Sequence, residues 1–81
     1  MLEELSGKGK VTGIKQSGRA IRENRAARVY LACDADPKLL APIREACEQK
    51  QIPMETAFDR HQLGKACAIA VGATVAVVLK D

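Results

Sequence analysis

Alternating helical and strand-like segments predict an α/β fold for this chain, a three-layer α/β/α sandwich around a sheet of about four strands. Three observations predict it. Short apolar β-rich runs alternate with 3.6-period spacings along the whole chain. A strong helix entry, Asp36-Pro37, follows the most strand-like run directly. No repeat or linker interrupts the 81 residues, so residues 1–81 read as a single domain that buries about 60–65% of its unfolded surface.

Each element has a local reason. Met1–Leu5 has weak helical spacing and ends at the breaker Gly7-Lys-Gly. Lys10–Gly13 fits a short strand, and helical spacing runs from Lys15 to about Asn24, with Ser17, Ala20, Ile21 and Asn24 facing inward. Arg28–Cys33 is a β-rich run fitting a central strand. Pro42 lacks the N–H that a helix interior needs, so a turn is expected at 37–40 and the main helix at Ala41–Lys50. Ile52–Thr56 reads as an edge strand because of Pro53. Asp59 and Gln62 have the spacing of a capping box for a helix at 60–66. Cys67–Gly72 is an apolar turn, and Ala73–Leu79 is a buried strand.

Composition narrows the function. Tyr30 and Phe58 are the only Phe, Trp or Tyr residues, so the core is aliphatic and an aromatic base-stacking platform is largely ruled out. The net charge of +3 conceals an asymmetry. Residues 8–28 hold seven cations and one acid, Glu23, while the remainder holds six cations and nine acids. Such a segment is an electrostatic footprint for a polyanion. Cys33, Cys47 and Cys67 are odd in number and lack CxxC spacing, which argues against a disulfide framework or a zinc site and for three buried thiols in a reducing cytoplasm. Neither a transmembrane-length apolar run nor a signal-peptide pattern occurs, which again points to the cytoplasm and no membrane partner.

Residues 13–19, Gly-Ile-Lys-Gln-Ser-Gly-Arg, carry the most chemistry. Gly13 allows close backbone approach, and the helix start behind it suits an anion. Lys15, Arg19 and Arg22 fall on one helical face at i, i+4 and i+7, with Gln16 beside them. An amide among cations can read a base edge while the cations hold phosphates, so RNA is the expected partner.

Three segments together resemble the kink-turn RNA-binding ribosomal proteins of the L-seven-Ae and L-thirty-e type. Gly13–Arg19 is similar to the family's Gly-x-Asn-Glu-x-x-Lys element and its bacterial Gly-x-Lys-Gln-x-x-Lys form. Asp34-Ala-Asp36-Pro37 is similar to its Asp-x-Asp-Pro turn. Leu63-Gly-Lys-Ala-Cys-Ala-Ile69, with Val71-Gly72, is similar to its Leu-Gly-Arg/Lys-Ala segment and recognition loop. The resemblance implies an α/β/α sandwich with a mixed four-stranded sheet and a monomer that stabilises kink-turn RNA in or near the ribosome. It places Gly13, Lys15, Gln16 and Arg19 on the tandem G·A pairs and adjoining backbone, with Lys65 a basic residue near the site. It sets the loop Ile69, Ala70, Val71 and Gly72 against a flipped-out nucleotide. Ala70 stands where many members carry an acid, and Lys15-Gln16 replaces the archaeal Asn-Glu pair.

Two other readings stay in play. An apolar loop at 67–72 could dock a protein, which would leave the cation cluster unexplained. Asp34 and Asp36 after a strand resemble the start of a magnesium-dependent phosphotransfer site, but Asp36 before Pro37 fits a helix cap better. No cofactor or metal and no catalytic role are expected.

Overall fold

In the computed structural model, residues 9–67 and 72–80 are described. They form, in order, β1 (Lys10–Thr12), α1 (Ile14–Arg22), β2 (Ala26–Leu31), α2 (Pro37–Lys50), β3 (Met54–Glu55), α3 (Arg60–Ala66) and β4 (Val75–Leu79). The four strands make one sheet in the order β1-β4-β2-β3. β4 is antiparallel to both β1 and β2, and β3 is parallel to β2. This is the mixed sheet expected.

Strand alternation divides the core into two layers. Val29 and Leu31 of β2 and Val75 and Val77 of β4 face α1 and α2, where they meet Ala20, Ile21, Leu40, Ile43 and Cys47. The intervening Tyr30 and Ala76 face Leu63 and Cys67 at α3. The Phe58 ring tilts at 46° to Tyr30, 6.1 Å between centroids, so both aromatic residues lie on the α3 side. Helices thus cover both faces of the sheet.

The structure differs from the sequence expectations at five places. α2 runs unbroken from Pro37 through Pro42, with no separate turn at 37–40. Starting the helix one turn earlier buries Leu40, worth about 1.5–3 kcal/mol. It also gains the Asp36 cap, whose side chain accepts from the Lys38 N–H at 2.9 Å. Together these offset a mid-helix proline, which costs about 3 kcal/mol.

Asn24 is exposed rather than inward-facing, because α1 ends at Arg22 and Asn24 turns left-handed at φ 60°. β2 begins at Ala26, two residues before the expected start, and β3 is reduced to two residues. Cys33 is exposed, whereas Cys47 and Cys67 are buried. Where the sheet ends, the chain turns outward at Cys33 toward α2, leaving that thiol outside both core layers.

The capping box at α3 forms as its spacing predicts. Asp59 accepts from the Gln62 N–H at 2.8 Å, and the Gln62 side chain accepts from the Asp59 N–H at 3.0 Å. The helix expected at Met1–Leu5 and most of the turn expected at Cys67–Gly72 lie outside the described residues.

Candidate nucleic-acid interface

The site is built where β1 hands over to α1. Gly13 takes φ 91°, a conformation that L side chains rarely adopt. A Cβ there would meet nothing within 4 Å, so backbone angle rather than crowding demands the glycine. Its N–H donates to the Val75 carbonyl at 3.2 Å, which ties the start of α1 to the start of β4. Gly13 offers no side-chain cap, and the first turn holds no acid. The N–H groups that open α1 therefore keep their partial positive charge for an anion.

α1 sorts its residues cleanly. Ser17, Gly18, Ala20 and Ile21 are buried, while Lys15, Gln16, Arg19 and Arg22 are exposed. These four exposed side chains line an open groove of about 640 Å³, together with Val11, Ala20 and Arg25. Sequence spacing brought the first four together correctly. It missed Arg25, which arrives through the left-handed turn at Asn24 and returns under the helix. The signal available was Asn24 itself, an asparagine directly after a helical run. That turn is held by the Arg25 N–H on Ala20 O at 2.9 Å, by Lys80 N–H on Arg25 O at 2.7 Å and by Lys50 Nζ on Asn24 Oδ1 at 2.6 Å.

Glu23 ties two of the cations. Its carboxylate accepts from Arg19 Nε at 3.1 Å and from Arg25 Nη1 at 3.2 Å. Those two bonds, Arg19's first, hold the Glu23 carboxyl below its ordinary pKa despite a small opposing effect of desolvation. The Arg19 and Arg25 side chains remain 73% and 53% exposed, so both stay accessible to a phosphate. Exposed ion pairs of this kind are weak and exchangeable.

Other expected contact residues fall elsewhere. Lys65 is exposed on α3, across the sheet from α1, and does not line the groove. Gly72 packs on the start of α3, where a Cβ would come within 3.1 Å of Arg60 Cβ, and the Ala73 N–H donates to Arg60 O at 3.1 Å. Ile69, Ala70 and Val71 lie outside the described residues.

The paired aspartates have separate structural partners. Asp36 caps α2 as the Asp-Pro pattern predicts. Asp34 binds the start of α3, its Oδ1 accepting from the Arg60 N–H at 2.9 Å and its Oδ2 from Arg60 Nε at 3.5 Å. The backbone bond is the main reason the Asp34 carboxyl is held below its usual pKa. Among the described residues, no group of three or more His, Cys, Asp or Glu side chains is placed to hold a metal ion. Burial pushes the Cys47 and Cys67 thiols up, away from the thiolate form.

Residues 3–81 match the profile of the ribosomal protein L7Ae/L30e/S12e/Gadd45 family. The chain belongs to this family. Relatives include the RNA-binding protein YbxF of Geobacillus stearothermophilus, 36% identical over 70 residues that cover 86% of this chain and 85% of the relative. An RNA-binding protein of Caldanaerobacter subterraneus is 39% identical over 67 residues, covering 83% and 82% of the two chains. The Giardia lamblia 15.5kD RNA binding protein superposes with a TM-score of 0.88 at 27% identity, covering 99% of this chain and 68% of its own. A Bacillus halodurans protein of unknown function shares the fold, with a TM-score of 0.87 at 24% identity over 98% of this chain and 83% of that one. The family's α/β fold is thus the one observed.

Proposed function

We propose that this protein binds RNA, and that its preferred RNA is a kink-turn bound in or near the ribosome by a cytoplasmic monomer. The observation that carries the reading is the convergence of Lys15, Gln16, Arg19 and Arg22 on one exposed groove beside the open start of α1. Family membership and relatives that are RNA-binding proteins support a binding role rather than a catalytic one.

A kink-turn crowds phosphates at a sharp bend, and a cationic groove relieves that repulsion. A protein that binds only the bent form shifts the RNA population toward it. In this reading Gln16 and Lys15 meet the base edges that G·A pairs expose, and Gly13 lets the backbone approach them. Arg19, Arg22 and Arg25 hold the flanking phosphates. By the family resemblance, Lys65 of α3 and residues Ile69, Ala70, Val71 and Gly72 add RNA contacts outside this groove. The test is a gel shift at moderate salt with a kink-turn RNA and an unkinked duplex of equal length. Preferential retention of the kinked RNA is expected, and equal retention of the two would overturn the kink-turn assignment.

A further inference from the structure

A second groove, about 430 Å³ in volume, runs between α1 and α2 and shares Lys15 and Arg22 with the first. Its remaining surface combines an apolar floor with one amide. Gly18 lies on the α1 side, and Pro42, Ile43 and Gln49 line the α2 side. Two of these residues are unfavourable inside helices, a glycine and a proline. Gly18 is buried, and a Cβ there would touch Ile43 Cδ1 at an ordinary 3.5 Å and crowd only the flexible end of Arg22, Nη1 at 3.3 Å. Pro42 and Gln49 are exposed.

We infer that this groove is a second RNA subsite, taking one unpaired nucleotide that flanks the RNA in the first groove. The base packs on exposed Pro42 and half-buried Ala46, the Gln49 amide hydrogen-bonds its edge, and Lys15 and Arg22 hold the phosphates on either side. Gln49 suits the role because an amide donates and accepts at once, as base edges do. The shared cations favour RNA as the occupant. An acidic peptide would lose its charge attraction as soon as RNA neutralised Lys15 and Arg22, whereas a continuing strand uses the same two cations. This inference rests on the RNA-binding reading above.

The test compares a minimal kink-turn RNA with versions carrying three unpaired nucleotides at either strand end, on wild type, Gln49→Ala and Gln49→Glu. One extension should raise wild-type affinity and shift the amide NMR signals of Gly18 and Gln49. Gln49→Ala should cut that gain about three- to tenfold, the size of one hydrogen bond, and Gln49→Glu should cut it further by repelling phosphate. Gln49→Ala should leave affinity for the minimal RNA unchanged, which distinguishes a subsite defect from loss of the primary site. Absence of any gain from either extension, or a gain that survives both variants, overturns the inference. So does an acidic amphipathic peptide that shifts these two amides when the extended RNA does not. Failure of wild type to bind the minimal RNA removes the primary reading and this one with it.

Discussion

Gln16 and Arg19 stand one helical turn apart on the same groove, yet their chemistry assigns them different tasks. Gln16→Ala should cost about 1–3 kcal/mol on a kink-turn and much less once its G·A pairs are disrupted. Arg19→Ala should weaken both RNAs similarly and reduce the salt slope by about one unit. Equal losses for Gln16→Ala on the two RNAs would show that it reads no base. Glu23 supplies a second prediction. Its carboxyl is stabilised as the anion by Arg19 and Arg25. The resulting contribution to folding is complete above its ordinary value of 4.5 and disappears as pH falls through the lower folded-state value. At neutral pH, Glu23→Gln should release both guanidinium groups and raise affinity for generic RNA by about two- to fivefold at low salt, read by fluorescence titration. An unchanged affinity would mean the ion pairs do not compete with phosphate.

At the scale of elements, what was legible followed from how local each determinant is. The α3 box formed because Asp59 and Gln62 decide it within four residues. The Asp36 cap is equally local, and Asp36→Ala should lower stability by about 0.5–2 kcal/mol in chemical denaturation, leaving the RNA affinity of the folded protein nearly intact. A loss of RNA binding greater than the loss of folded protein would instead give Asp36 a direct functional role. Pro42 misled the reading of α2 because propensity says nothing about the burial of Leu40, which depends on a sheet assembled elsewhere in the chain. Strand ends were displaced for a similar reason. Ala26 belongs to β2 because it pairs with Leu79, 53 positions away, and no local pattern records that partner. The site shows the same division. Lys15, Gln16, Arg19 and Arg22 lie on one helix and were grouped by spacing alone. Arg25 needed the turn at Asn24, and the separation of Lys65 from the groove needed the whole sheet.

For the whole molecule, the charge asymmetry becomes a surface property. Lys15, Arg19, Arg22 and Arg25 of the basic segment gather at the α1 groove, whereas Lys10 and Arg28 flank Val78 on the α3 face of the sheet. Binding should weaken with salt at a log–log slope of about −2 to −4, for roughly three to five displaced counterions. A flat response in a salt titration would exclude the basic groove as the principal contact.

The strand order also dictates when the molecule can exist during its own synthesis. β4 is made after the other three described strands, yet it lies between β1 and β2 and supplies hydrogen bonds to both. It also provides the Val75 carbonyl that receives the Gly13 N–H. Until residues 75–79 leave the ribosomal tunnel, β1 has no neighbouring strand and the start of α1 has no anchor. The cationic segment is therefore translated long before it acquires a shape, and pairing across so wide a sequence gap is an intrinsically slow step. A nascent chain stalled after residue 74 should be digested by protease at the rate of an unfolded peptide, while one stalled far enough downstream to expose β4 should resist. RNA recognition thus begins only after synthesis has passed the centre of the sheet.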